Sequence, residues 1–463
     1  MRSALQSARL RRILLAYTVN RLGTWFGFVA LSVAVFDHTH SALAVAGLLI
    51  SGQILPALAA PAVIARVEAS RRRGMLSALY FFETVFTVAL AVLAKHFSLP
   101  AVLVLVALDG TAMLAASALL RAAAAAAAHE DEAEHPAVAA LAEATGGDRS
   151  RHESERAANA ALNIAFSASF MLGPALAGAV VAAAGGSTAL LIDAATFLFC
   201  GAMLSNQSAH VEESEEETSV RARLRSAWQH INAVRSLRTL LLTEALALVF
   251  FEFSGPIEVV YAKATLHAGD SGYGLLLTAW GAGVVAGSIF FARSAHRRIG
   301  GLLSAGTLGV GVAYLGFAAA PSLALACVAA LCGGVGNGIQ WASLISAVQR
   351  LTPQRLHGRL MGAIESLGSL CPAVGLSLGG TLVAVSSPRG AFLVAGVGAT
   401  LTTLVFLRLF LGGLDAAMDQ AGEPASAPEE PETVLSTGQI AGLGKASFGE
   451  EPARTGPPVR PTP

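Results

Sequence analysis

The chain has 463 residues, of which 54% are apolar and only 13% charged, and its formal net charge is zero. A water-soluble domain carries roughly 25% charged residues, so composition excludes an ordinary soluble fold. The zero net charge offers no bulk attraction for nucleic acid. The four cysteines, Cys200, Cys327, Cys332 and Cys371, all fall inside apolar runs without metal-like or disulfide-like spacing, and read as small buried hydrophobes.

Apolar runs recur from end to end. An apolar stretch of about 18 residues or more with few charges is long enough to cross a bilayer as a helix. Twelve such spans are expected, at 13–36, 43–65, 74–95, 98–121, 155–184, 187–206, 238–262, 271–295, 300–320, 322–349, 358–386 and 388–412. The first follows Arg2, Arg9, Arg11 and Arg12, like the basic front of a signal peptide. It is too long for one, contains Asn20 and Arg21, and precedes eleven more spans, so it reads as a retained helix. Between spans four and five, segment 122–154 is an alanine run followed by an acidic stretch, read as a mobile loop. Its residues 129–135 read as solvated rather than metal-binding.

Between spans six and seven, segment 207–237 opens with Glu212, Glu213, Glu215, Glu216 and Glu217. It continues with Leu224, Trp228, Ile231 and Val234 at helical spacing among arginines. Such a stretch suits an amphipathic helix on the membrane surface, or serves only as a tether. Residues 413–463 are rich in Pro, Glu, Gly and Ser and are expected to be a disordered tail. The fold class is therefore an all-α membrane protein of twelve transmembrane helices. It divides into an N-terminal six-helix bundle (1–206), a linker (207–237), a C-terminal six-helix bundle (238–412) and a tail (413–463).

Basic residues fix the expected orientation. With the N-terminus inside, 24 arginines fall on the inner side, against Lys95, Lys263 and Arg389 on the other. Lys and Arg near helix ends set topology, so both termini are expected in the cytoplasm, with the chain in a bacterial cytoplasmic membrane. The two blocks also echo each other. "IARVEASRRRG" follows the second span and "FARSAHRRIG" the eighth, and the fifth and eleventh spans carry Gly173-Pro174 and Pro372 with Gly375. Weak internal repetition of this kind is characteristic of transporters built from repeated halves.

These features resemble the major facilitator superfamily: six plus six helices, cytoplasmic termini and the basic loop Arg71, Arg72, Arg73, Gly74 between spans two and three. The loop lacks the aspartate usual there, for which Glu68 is a weak substitute. "GRLMG" (358–362) resembles the matching loop of the second half. In "NAALNIAFSASFMLGPALAG" the run Gly173 to Gly178 resembles the Gly-Pro motif of drug and metabolite antiporters. Residues 258–288 resemble the efflux branch that includes macrolide and enterobactin exporters. Span four departs from the drug antiporters: it carries Asp109-Gly110 in place of an internal arginine.

Charges within the spans are the strongest functional signal, because each costs about 2.5–3.5 kcal/mol at a helix centre. They are Arg21, Glu83, Asp109, Asp193, Glu244, Glu252, Glu258 and Glu365. The resemblance implies a central cavity lined by helices 1, 4, 7 and 10. That promotes Arg21, Asp109, Glu244 and Glu252, and demotes Glu83 and Asp193. Glu252, near the middle of its span, is the leading proton-coupling candidate, with Asp109, Glu244 and Glu365 behind it. A structural hydrogen bond is its competing role. Glu244 is expected near the inner mouth in water, and Glu258 near the outer end, snorkelling to water.

Arg21 and Asp109, about 12 and 18 Å deep at 1.5 Å per residue, are a candidate pair, either a gate or simple neutralisation. Glu365 is placed against Asn337 and Gln340. The glycine-rich run containing Asn337, Gln340 and Trp341 suits a cavity wall for an amphipathic solute, or core packing. Gly173 and Pro174 make a bendable, tightly packed seam, with Asn159 and Asn163 one turn apart before it. "GAGVVAG" at Gly281 lies inside an apolar helix and is not a dinucleotide loop, and "GLGKAS" at 442–447 lacks phosphate-loop spacing. No cofactor, metal, ATP site or enzymatic constellation is expected. The sequence points to a monomeric secondary transporter exporting a hydrophobic or amphipathic small molecule against protons. Uptake of a small metabolite, or a non-transporting sensor or assembly factor, are the alternatives.

Overall fold

The computed structural model describes residues 8–70, 74–94, 96–134, 148–205, 228–294, 297–352, 357–408 and 413–422, and these are almost entirely helical. In chain order the helices are α1 (Ala8–Thr39), α2 (Ala42–Ser70), α3 (Met75–Leu93), α4 (Leu99–Glu134), α5 (Asp148–Ala184), α6 (Gly186–Met203), α7 (Arg235–Thr265), α8 (Gly269–Arg293), α9 (Ile299–Ala319), α10 (Leu323–Arg350), α11 (His357–Val385), α12 (Pro388–Arg408) and α13 (Leu414–Gly422). Eleven of the first twelve are apolar and long enough to cross a membrane, and α11 contributes the apolar stretch Cys371–Val385. Large apolar side chains cover the outside of the bundle; Leu58, Val85 and Val405 are 65–72% exposed. Such a surface is stable against acyl chains and not against water.

α7 is not a uniform helix. It breaks after Glu252, resumes over Ser254–Val260, and ends in a π-helical turn, Tyr261–Thr265. Pro256 lies four residues after Glu252, so the carbonyl of Glu252 has no backbone donor there, which accounts for the break.

Two sequence readings are corrected by added helix. Segment 122–154 is helical over 122–134 and 148–154, because the run from Ala122 to Ala128 is made of the best helix former. Residues 414–422 form α13 instead of beginning a tail. Leu414 and Met418 are buried in the core of the C-terminal half, and Asp415 Oδ1 accepts the Gly300 backbone N–H at 3.2 Å, at the start of α9 where a helix favours negative charge. Residues 423–463 and the acidic start of the linker lie outside the described residues. At the linker's end Trp228 is exposed and Ile231 buried.

The helix neighbourhoods repeat with a shift of six. α1 packs on α5 as α7 packs on α11, α2 on α4 as α8 on α10, and α3 on α6 as α9 on α12. The same shift relates the two seams between the halves, α5 with α8 and α11 with α2. At the α5–α8 seam a Cβ on Gly178 would lie 2.9 Å from the Gly274 Cα, so only glycine permits this approach. At the α2–α11 seam a Cβ on Gly380 would lie 2.9 Å from that of Ala46.

The cores reveal where the halves join. Toward the end at which α1 finishes (the far end), one cluster draws on both halves, with Val29, Val33 and Leu49 beside Phe253, Ile257 and Leu376. Toward the end at which α1 begins (the near end), two clusters separate. One is N-terminal, around Ile13, Tyr80 and Phe197; the other is C-terminal, around Leu240, Leu303 and Leu344. The far end is further tied by Lys263 of α7, whose Nζ lies 2.6 Å from Asp37 of α1 and 2.5 Å from Asp270 of α8. Among the described residues the apolar core is therefore shared by the two halves at the far end and divided at the near end.

Replacing Gly178 by Val should lower the melting temperature in detergent, because overpacking a tight seam typically costs about 1–3 kcal/mol. Gly301, whose Cβ direction is open, should accept Ala with no such loss.

Candidate functional site: a central cavity and the charges around it

A cavity of about 360 Å³ lies between α5 of the N-terminal half and the helices of the C-terminal half; α1 and α4, expected in its wall, contribute no residue to its described lining. Small-molecule sites commonly span about 300–1,000 Å³. Its walls come from α5, α7, α8, α9, α10 and α12. Glu244, Glu252, Asn337 and Gln340 supply polar groups, and Phe166, Phe170, Phe251 and Trp341 supply aromatic surface. Among the described residues that line it, none is basic.

Glu244 is buried rather than solvated at the mouth. Both of its oxygens accept from Gln340 Nε2, at 3.1 and 3.3 Å. Gln340 is likewise buried, and Glu244 is its partner. The Glu365 side chain lies outside the described residues, as do those of Asn159 and Asn163. Glu252 borders the cavity immediately before the α7 break and packs beside α11, where a Cβ on Gly375 would meet its own Cβ at 2.8 Å. Trp341 is 46% exposed and, with Asn337, forms part of the wall. Glu258 does not reach toward water: it stands within interaction range of Ser254, Tyr273 and Tyr314, inside the bundle.

The Gly173-Pro174 motif falls on the seam. Trp25 of α1 covers Gly173, and the Pro174 carbonyl lies 2.5 Å from where a Gly274 Cβ would stand. The motif brings α5 against α1 and α8 at once. In the basic loop, Arg71, Arg72 and Arg73 lie outside the described residues. Gly74 adopts a left-handed conformation, φ 82°, at the start of α3, a geometry glycine reaches without strain.

The expected Arg21–Asp109 ion pair is not formed. The Arg21 guanidinium instead donates to Ser117 Oγ at 3.4 Å and lies over the Tyr17 and Phe166 rings, 5.2 and 5.9 Å from their centroids. Two carboxylates demoted from the sequence, Glu83 and Asp193, are enclosed in the N-terminal half near Arg21 and Asp109. For Glu83 a signal was present. Leu76, Tyr80, Glu83, Thr87 and Leu90 recur at helical spacing and are all buried, so the carboxylate lies on the inward stripe of α3.

A twofold-repeated helical bundle with eleven spans apolar and long enough to cross a membrane, and the shorter apolar stretch of α11, has the major facilitator fold. The comparisons agree with it. Residues 240–451 match the Major Facilitator Superfamily. An uncharacterized MFS-type transporter of Bacillus subtilis, YfiS, is 26% identical over 239 residues, 49% of this chain. The chain spans 57% of that relative's length. Solved structures align over most of the chain. The nucleoside transporter NupG has a TM-score of 0.66 at 11% identity, covering 87% of this chain and 99% of NupG. A bacterial metal transporter gives 0.61 at 16%, covering 87% and 98%. A bacterial homolog of the human lysosomal transporter Spinster, inward-facing and unoccupied, gives 0.59 at 12%, covering 89% and 97%. The likenesses in structure establish the fold.

Gln340→Leu leaves the buried Glu244 without its donor. It should cost about 1–3 kcal/mol, the usual penalty of an orphaned buried polar group, read as a lower unfolding temperature. In Glu244→Leu/Gln340→Leu, with both partners apolar, most of that loss should be recovered.

Proposed function

We propose that this protein is a secondary transporter that exports a hydrophobic or amphipathic small molecule in exchange for protons by alternating access. The observation that carries the reading is the cavity itself: two carboxylates, two amides and four aromatic rings, with no basic residue among its described lining. That wall favours a solute with an apolar body and a positive charge, since cations are attracted to both carboxylates and ring faces. Glu252 has no counter-ion among the described residues of the wall, so it can hold either a proton or the solute's cationic group. Competition between the two is a direct route to exchange.

The arginine bias supports placing the near end in the cytoplasm, with both termini inside a bacterial cytoplasmic membrane. The divided near end is then the inward-open state, and the α5–α8 and α2–α11 seams are the surfaces on which residues 1–206 and 238–412 rock. The Gly173-Pro174 motif and residues 258–288 favour the efflux branch. One chain contains both halves and the cavity between them, so the proposed working unit is a monomer.

The test compares small molecules in cells and medium by untargeted mass spectrometry, for strains expressing the intact protein, Glu252→Gln or neither. A compound enriched in the medium only by the intact protein supports export and identifies a substrate. Acidifying the medium should speed its export, because protons then run inward down a steeper gradient. Glu252→Gln should reduce proton-driven export about fivefold or more, the scale of an ordinary coupling energy. Enrichment inside the cells would reverse the direction to uptake. No difference in either compartment would favour a non-transporting sensor.

A further inference from the structure

The N-terminal half contains a second polar region that this cycle does not use. Asp193 on α6 presses against α1 where Gly23 and Gly27 stand one turn apart; a Cβ on Gly23 would lie 2.9 Å from Asp193 Oδ1. Glu83 on α3 is fully enclosed, with neither oxygen hydrogen-bonded. Asp109 on α4 and Asp193 each have one buried oxygen without a partner. Glu83 is within electrostatic reach of Asp109, Asp193 and Arg21, and Asp193 within reach of Asp109.

A second observation marks a site rather than a mere acidic cluster. A void of about 10 Å³ is lined by Asn20, Arg21, Glu83, Tyr80 and Ser117 among others. Asn20 is buried, and its amide nitrogen has no partner. Polar walls and roughly one probe sphere of space suit a single water.

Charge counting then decides the chemistry. Three ionised carboxylates against one guanidinium would leave a net charge of −2 in a low-dielectric interior, and buried groups in that position neutralise instead. The other titratable groups that face the cluster are Tyr17 of α1, Tyr80 of α3 and Cys200 of α6, all neutral in their ordinary state. The described side chains of α2 and α5 present no charge. Among the described residues no set of three ligating groups has metal-site geometry.

We infer that Arg21, Glu83, Asp109 and Asp193 form a buried proton-binding site that holds two protons, with the third carboxylate neutralised by Arg21, apart from the substrate cavity. The inference rests on the transporter reading and deepens it. Release is an ordinary acid dissociation: a carboxyl O–H breaks, water takes the proton, and the new carboxylate is stabilised by Arg21. Loading reverses it. Arg21 is also the mechanical link. Its guanidinium lies over Phe166, which lines the cavity, and Trp25, one turn further along α1, covers Gly173 on the α5 seam. Moving α1 therefore changes the proton site and the gate together.

The primary test needs no substrate. Infrared spectra of the full chain in lipid nanodiscs at neutral pH should contain protonated-carboxyl absorption. Glu83→Gln and Asp193→Asn should each lose the amplitude of one group, and the double variant that of two. Both substitutions mimic the protonated acid, so melting temperatures should stay near that of the unaltered protein. An unchanged band in all three variants, or a marked fall in melting temperature on neutralisation, would overturn the inference. In proteoliposomes with tetraphenylphosphonium as probe, Glu83→Gln should retain substrate counterflow but lose proton-driven accumulation. Full proton-driven accumulation in that variant would also overturn it. Absence of counterflow in the unaltered protein would instead count against the proposed substrate class, leaving the infrared result to decide the proton site.

Discussion

Helices in lipid gain nothing from packing leucine on leucine, because acyl chains are as apolar as the partner. Close backbone approach and internal polar contacts must hold them, and the structure depends on that constraint. Its two inter-half seams run through small residues: Gly178 against Gly274, and Gly380 against Ala46. A seam made of backbone contact has little side-chain interlock to undo. Two bodies that meet in this way can rock on one another, whereas a core of interdigitated large side chains resists sliding. The far end differs, with large buried side chains from both halves and Lys263 between two aspartates. Among the described residues the far end thus carries the stronger tie, and the two cores separate toward the near end.

The same absence of water governs the charges. A charge that cannot reach the surface must face a cavity or another polar group, and the two halves solve this differently. In the C-terminal half Glu244 is satisfied by Gln340 and Glu252 borders the cavity. In the N-terminal half Asp193 is packed against α1 at Gly23 and Gly27, and Glu83, Asp109 and Asp193 have unpartnered oxygens. Arg21 reaches between the two regions, its guanidinium lying over the Phe166 ring.

Much of the scaffold was legible in the sequence because bilayer thickness sets helix length and arginine placement sets the spacing of loops. The twelve spans, the repeated halves and the small-residue motif on α5 all follow from such one-dimensional signals. What failed was rotational information. Glu83 and Asp193 were set aside because their helices are peripheral, yet a peripheral helix still presents one face inward, and the stripe from Leu76 to Leu90 carries Glu83 on that face. The Arg21–Asp109 pair failed for the same reason: similar depth does not bring two side chains to the same azimuth. Likewise Glu244 was assigned to water by depth alone, while its contact with Gln340 depends on how α7 and α10 are turned. The helical start of the tail was missed because composition is averaged over fifty residues, and Leu414 and Met418 are two apolar residues in a polar stretch.

The repeat and its exceptions point to a division of work. Neighbourhoods repeat with a shift of six, so the scaffold treats the halves alike, and symmetry of that kind allows the seam pair to open at either end. Chemistry breaks the symmetry. At the position in α7 that corresponds by helix order to α1, the chain breaks at Pro256 beside Glu252, while α1 continues unbroken past Arg21, Gly23 and Gly27. A broken helix offers a carboxylate to a cavity; a continuous one with two glycines accepts a carboxyl group from its neighbour. In the proposed cycle, repeated packing would give the two halves a common motion, and these local differences in α1 and α7 would give them different tasks during it.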